Sequence, residues 1–190
     1  LKNLLSRVDQ IFIGGGMAYT FIAARGGAIG NSLAEPEMYG EALNLLKQAT
    51  AGGVEIVLPT DALCADAFSP DARVLECPID QIPEGWMGLD LGPVSRENFA
   101  AKARKARTIL WNGPMGVFEF ENFSAGTLAM ADALVHASKQ GGFTLVGGGD
   151  SVAAINAAGL ADQVSYVSTG GGAMLEYLEG RTLPGIAALS

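Results

Sequence analysis

Three runs of three glycines are the residues of this chain best placed to do chemistry. They are Gly14-Gly15-Gly16 after Gln-Ile-Phe-Ile, Gly147-Gly148-Gly149 after Phe-Thr-Leu-Val, and Gly170-Gly171-Gly172 after Val-Ser-Tyr-Val-Ser-Thr. Each is followed by residues that favour helix. A strand, a glycine turn and a helix start together present bare backbone N–H groups at the positive end of a helix dipole, the arrangement that holds phosphates. One such turn serves equally well as a packing device. Three in one chain, with Asp150 directly after the second, point to a nucleotide site. Asp150 itself has two readings that the residues leave open. One is an N-cap for a helix from Ser151. The other is a ligand of Mg2+, which takes one or two carboxylates and fills its shell with substrate phosphates and water.

Other chemistries find less support. A Walker A loop needs Gly-Lys-Ser/Thr, and the chain has no Gly-Lys pair. The dinucleotide fingerprint Gly-x-Gly-x-x-Gly needs a third glycine where the three runs have Tyr19, Val152 and Leu175, so a dehydrogenase lacks its signature. Gly149-Asp150-Ser151-Val152-Ala153 is a weak nucleophile elbow, and the chain's one His, His136, lies upstream of it. His136 reads as a helix-surface residue. With one His and two separated cysteines, Cys64 and Cys77, no zinc site can be assembled, and both thiols read as buried packing. A net charge of −8 argues against nucleic acid as partner. The stretch from Trp111 to Glu119 follows an apolar run. There Asn112 offers amide groups to a phosphate or sugar oxygen, and Glu119 an acceptor for ribose hydroxyls; a plain turn with a solvated acid fits as well.

The elements that position these residues read as α/β. The chain has 190 residues, 49% hydrophobic and 17% charged, enough for one globular domain, and we expect a single domain over 1–190. No apolar stretch approaches a membrane span, and no secretory signal is visible. Both features fit a cytoplasmic location. The chain opens on Leu1 in a helix-like pattern and reads as a fragment or processed product. Near-continuous apolar runs at 10–13, 54–58, 108–112, 143–147 and 164–168 fit strands buried on both faces of a parallel sheet. Helical patterns lie between them at 38–51, 96–106 and 124–138, the last with Ser124 as N-cap, and two short helices should follow the second and third glycine runs. This alternation predicts a Rossmann-like, doubly wound, mainly parallel sheet with helices on both faces. Ligands then bind at the carboxyl ends of the strands, where the glycine runs fall. The proline-rich segment 59–93 breaks the rhythm and reads as a long excursion with one or two short strands.

The motifs carry a family resemblance. Trp111-Asn112-Gly113-Pro114-Met115-Gly116-Val117-Phe118-Glu119, Gly147-Gly148-Gly149-Asp150-Ser151 and Ser168-Thr169-Gly170-Gly171-Gly172-Ala173 are similar to motifs of phosphoglycerate kinase. So are Ile13-Gly14-Gly15-Gly16-Met17-Ala18, Ile29-Gly30-Asn31-Ser32-Leu33, Leu58-Pro59-Thr60-Asp61 and Gly85-Trp86-Met87-Gly88-Leu89-Asp90, in the family's order and over nearly the whole chain. The part resembled is the C-terminal, nucleotide-binding domain of a two-domain enzyme. The resemblance implies that Gly14, Gly15, Leu33, Gly88, Leu89 and Val117 line the adenine and sugar pocket. It implies that Glu119 holds the ribose hydroxyls and that Asn112 and Pro114 flank the nucleotide. Asp150 would meet the metal of Mg-ATP or Mg-ADP. Gly148, Gly149 and Ser151 would present backbone and hydroxyl groups to the phosphates, and Gly148, Gly170, Gly171 and Gly172 would meet the transferring phosphoryl group. The implied reaction is reversible phosphoryl transfer between 1,3-bisphosphoglycerate and ADP in glycolysis, by an enzyme that is a monomer at full length. Such transfer needs cations around the phosphoryl oxygens. No Lys or Arg lies within a few residues of Asn112 or of the second and third glycine runs. In the family those cations, and the 3-phosphoglycerate site, come from segments absent here, so this chain alone is expected to be inactive.

Overall fold

A computed structural model describes residues 1–178 and 180; the rest of the domain expected over 1–190 lies outside the described residues. In chain order the elements are β1 (Gln10–Phe12), α1 (Gly15–Ala24), β2 (Ala28–Ile29), α2 (Tyr39–Gly52), β3 (Glu55–Val57), β4 (Asp61–Ala65), β5 (Val74–Pro78), β6 (Gln81–Ile82), β7 (Met87–Leu91), α3 (Pro93–Ala103), β8 (Thr108–Asn112), α4 (Ala125–Lys139), β9 (Phe143–Gly147), α5 (Gly149–Ala157), β10 (Tyr166–Val167) and α6 (Gly171–Leu178). The five apolar runs are strands, and each glycine run opens a helix: α1, α5 and α6. The α/β reading therefore holds.

Apart from the two-residue parallel pair β2–β6, the parallel sheet comes in two pieces. β1 pairs with β3, and β8, β9 and β10 pair in the order β10-β9-β8, all parallel. Alternation along β1 and β3 splits their side chains between two cores. Ile11, Ile13 and Ile56 face α1 and α2 with Ala18, Phe21, Ala42, Leu45 and Ala49. Phe12 and Val57 face the other way, toward Phe99, Ala100 and Leu134 of α3 and α4. Phe12 meets Phe99 edge to face at 5.3 Å, a geometry worth about 0.5–1.5 kcal/mol beyond area burial. Trp111 and Val146, neighbours in register on β8 and β9, extend that second core to Ile155 of α5. Helices thus cover both faces of β1–β3. On β8–β10, helices α3 to α5 cover the Trp111 face, while Leu110, Phe143 and Tyr166 are exposed.

Segment 59–93 corrects the sequence expectation. It holds four strands, not one or two: β4, β5, β6 and β7. β4 pairs antiparallel with both β5 and β7, and β6 pairs with β2. The prolines punctuate these strands without abolishing them. Pro78 ends the edge strand β5, Pro83 follows β6, and Pro93 sits in the first turn of α3, where no N–H is needed.

The helix starts correct it again. α3 begins at Pro93, three residues before the expected start, because Asp61 reaches over from β4. Its carboxylate accepts from Val94 N–H at 2.9 Å and Ser95 N–H at 2.7 Å. Ser124 does precede α4, yet its hydroxyl donates to the Glu121 carbonyl and caps nothing. The acceptor is again an acid borrowed from a strand, since Asp90 of β7 takes the Gly126 N–H at 2.8 Å. A helix N-terminus leaves donors unpaired and carries positive dipole, so a carboxylate from elsewhere serves in place of a local cap.

Candidate functional site

The three glycine turns and the loop after β8 meet at one rim of the molecule. Gly15 N–H donates to the Met115 carbonyl at 3.2 Å, and a Cβ on Gly15 would come within 2.9 Å of the Pro114 carbonyl. Gly113 N–H donates to Ser151 Oγ at 2.6 Å. Gly148 caps α5 at φ +86°, a left-handed backbone that favours glycine, and Asn112 Oδ1 fills the space a side chain there would need. A Cβ on Gly171 would lie 2.5 Å from Gly148 N, so the third turn rests directly on the second. The strand mouths are contiguous.

Two halves can be distinguished along this rim. The first is a ring of contacts: a Cβ on Gly16 would touch Leu33 at 3.0 Å, Ser32 Oγ accepts from Gly88 N–H at 2.9 Å, Val117 N–H donates to the Leu89 carbonyl at 2.8 Å, and Met115 closes on Gly14. Six residues anticipated for the adenine and sugar pocket, Gly14, Gly15, Leu33, Gly88, Leu89 and Val117, are brought together here. Leu33 is 74% exposed, an apolar surface beside a glycine floor. Leu89 is buried under Val117 and Phe120 with Phe123. Gly88 is backed by Tyr19, whose ring occupies the place of any side chain there. Glu119 is exposed at the end of the same loop.

The second half is polar. Gly149, Gly170 and Gly172 are exposed and would meet nothing within 4 Å if given a Cβ. They form an open cradle beside the N-termini of α5 and α6. Asp150 stands in the first turn of α5, exposed, with no hydrogen bond or ion pair among the described residues. The N-cap position belongs to Gly148 and the helix starts at Gly149, so the capping reading of Asp150 is corrected. The donor set suits a cation held chiefly by phosphate: one exposed carboxylate in the first turn of α5, next in sequence to the open Gly149. Among the described residues no cluster of three or more His, Cys, Asp or Glu makes a metal site without such a ligand. The ion pairs Arg73–Asp66, Lys102–Glu55 and Arg104–Glu97 belong to other elements.

Several roles emerge that the sequence did not show. Gly15 N–H is spent on Met115, so the first glycine run positions the loop and is not wholly free for an anion. Ser151 is fully buried and its Oγ is the acceptor for Gly113, which makes it a tie between β8's loop and α5; its hydroxyl does not face the cradle. Thr127, buried on α4, accepts from Met115 N–H at 3.1 Å and Gly116 N–H at 3.3 Å. Trp111 Nε1 donates to the Gly113 carbonyl at 2.8 Å. Asp90 presses its Oδ1 against Gly116 and Gly126 with no partner for that oxygen. Burial pushes its carboxyl up to about 6. An acid inside the strand run Met87–Leu91 was the signal available for Asp90; the ties of Ser151 and Thr127 had none. His136 is exposed on α4, as its helix position implied.

Comparison with known proteins agrees with this fold. The phosphoglycerate kinase family model matches residues 1–181. The chain is 53% identical over 189 residues to a phosphoglycerate kinase of Chloroflexus aurantiacus, covering 100% of this chain and 47% of that protein. It is 54% identical over 190 residues to that of Deinococcus radiodurans, covering 100% of this chain and 45% of the other. Among solved structures, phosphoglycerate kinase from Coxiella burnetii superposes with a TM-score of 0.93 at 45% identity, over 99% of this chain and 48% of that one. That from Pyrococcus horikoshii gives 0.82 at 28% identity, over 99% and 47%. The chain spans about half the length of the relatives it matches. A match across nearly the whole sequence, with the fold reproduced in the same order, shows that this chain belongs to the phosphoglycerate kinase family.

Proposed function

We propose that this chain is the nucleotide-binding half of a phosphoglycerate kinase, holding ADP or ATP with Mg2+ at the rim where the three glycine turns meet. The observation that carries the reading is the packing of Gly171 on Gly148, with Asn112 and the Gly113–Ser151 tie beside them. In this reading two helix N-termini and the Asp150 carboxylate, unpaired among the described residues, border one open cradle. In this reading the base and sugar lie in the ring of Gly14, Gly15, Leu33, Gly88, Leu89 and Val117. Glu119 accepts from ribose hydroxyls, and Asn112 and Pro114 flank the nucleotide. Backbone N–H groups of Gly148 and Gly149 and the first turn of α5 receive the phosphates. Asp150 would hold the Mg2+, which neutralises phosphate charge when bound. Gly170, Gly171 and Gly172 border the phosphoryl group in transfer.

The whole enzyme would pass a phosphoryl group reversibly between 1,3-bisphosphoglycerate and ADP, in glycolysis and in the cytoplasm, as a monomer. 3-Phosphoglycerate would be held by its other half. Phosphoryl transfer rests on positioning and on cations around the transferred group. No Lys or Arg lies within a few residues of Asn112 or of the second and third glycine runs, so in this reading the chain alone binds without turnover. The family match gives the NAD-dependent dehydrogenase reading no support.

Calorimetric titration tests the proposal. Mg-ADP should bind with a Kd of roughly 0.1–1 mM, about −5 kcal/mol, and NADH should not compete. Asp150→Ala should weaken the Mg complex at least several-fold more than free ADP. Equal losses for both would remove Asp150 from the metal, and no nucleotide binding at millimolar concentration would remove the site.

A further inference from the structure

The two cysteines are 13 positions apart and carry no pair motif, yet antiparallel pairing of β4 with β5 brings them together. Cys64 Sγ and Cys77 Sγ lie 3.5 Å apart. In register, Ala62 faces Cys77 and Cys64 faces Leu75, so the thiols are diagonal neighbours on one face of the ladder. Diagonal cross-strand side chains are within reach of each other. Their environments differ. Cys64 is fully buried in the cluster of Tyr19, Ile22, Ala62, Ile79 and Ile82. Cys77 is half-buried on β5, the edge strand of its sheet. Cys77 is the more exposed of the two, at the sheet edge, and Cys64 lies wholly inside.

We propose that Cys64 and Cys77 form an oxidisable dithiol that a hydroperoxide closes to an intramolecular disulfide. Cys77 Sγ, as thiolate, attacks a peroxide oxygen; the O–O bond breaks, hydroxide leaves, and Cys77 becomes a sulfenic acid. Cys64 Sγ then attacks the Cys77 sulfur, the S–O bond breaks, and water leaves with the Cys64 proton. Two electrons pass from the sulfurs to one peroxide. Cys64 is fully buried, which shelters it from the first attack, and burial pushes its thiol up as well. The division of roles follows from access, since thiolate character and exposure govern which cysteine reacts first. The bond would join the β4–β5 ladder beneath Tyr19, whose ring backs Gly88 of the rim.

The test is to treat the folded chain with stoichiometric hydrogen peroxide, unfold it under acid, alkylate free thiols and map the peptides. Both cysteines should become blocked together, with the loss of two hydrogen masses, a Cys64–Cys77 crosslinked peptide, no dimer on a non-reducing gel, and full recovery with dithiothreitol. The Cys64→Ser variant should instead accumulate oxidised Cys77 as sulfenic and sulfinic acid. In Cys77→Ser, which leaves the core residue intact, Cys64 should remain reduced. Oxidation of wild-type Cys77 to sulfinic acid beside an alkylatable Cys64, or dimers linked through Cys77, would overturn the proposal.

Discussion

Asp90 is the residue under most electrostatic tension. It is 2% exposed, one oxygen accepts from Gly126, and the other meets no donor. Burial raises its carboxyl from 3.8 to about 6 in the folded chain. The raised value fixes the sign of the pH effect. The group's contribution is fully present below about pH 4 and is lost as pH rises through about 6. The charged form therefore costs the fold on the order of 2–3 kcal/mol at neutral pH. Asp90→Asn keeps an acceptor for Gly126 without the charge. Its melting temperature should exceed that of the wild type at pH 7.5, the gain shrinking toward pH 4. A variant melting lower at pH 7.5 would show that the ionised carboxylate is satisfied. The glycine runs were legible as candidates because each repeats a strand–turn–helix pattern, and the structure brings all three to the loop from Asn112 to Glu119. Asp90, Ser151 and Thr127 act by tying one segment to another across 36, 38 and 12 positions or fewer, and no local pattern encodes those distances.

Among the elements, α3 shows how the fold borrows its caps. The Asp61 carboxylate binds both Val94 and Ser95 N–H, while Ser95 Oγ accepts from Thr60 N–H at 2.8 Å and Asp61 N–H at 3.0 Å and donates back to the Asp61 carboxylate. Loss of such a cap costs about 0.5–2 kcal/mol. Asp61→Ala should lower the urea midpoint accordingly, with an unchanged slope, whereas Asp61→Asn should lose less; an Ala variant as stable as wild type would deny α3 this cap. The strands β1, β3, β8, β9 and β10 were legible because their apolar runs are near-continuous, although on β8, β9 and β10 one face carries the exposed Leu110, Phe143 and Tyr166. Those between 59 and 93 were not. Their alternation is interrupted by prolines that sit at strand ends, and their antiparallel order β5-β4-β7 depends on partners far along the chain. The same remoteness hid the thiol pair.

At the scale of the whole molecule, binding and stability are linked. A ligand that binds only the folded chain stabilises it by about 1.4 kcal/mol at ten times Kd. For a domain of this size that is a rise of roughly 3–6 °C in melting temperature. Mg-ADP should give this shift, Asp150→Ala should abolish the part that depends on Mg2+, and an unchanged melting curve at saturating nucleotide would contradict the proposed site. The division of the parallel sheet into β3-β1 and β10-β9-β8 was not visible in the sequence, because strand content is written locally and strand partners are not. What joins the two pieces at the rim is the loop that follows β8, anchored by Trp111. Its indole is 3% exposed and hangs by its N–H from the carbonyl of Gly113, whose own amide is held by the helix carrying Asp150. Any occupant that tugs that loop also disturbs a fluorophore, so the chain carries its own dye, and emission from a Trp86→Phe background would register the rim's state without a label.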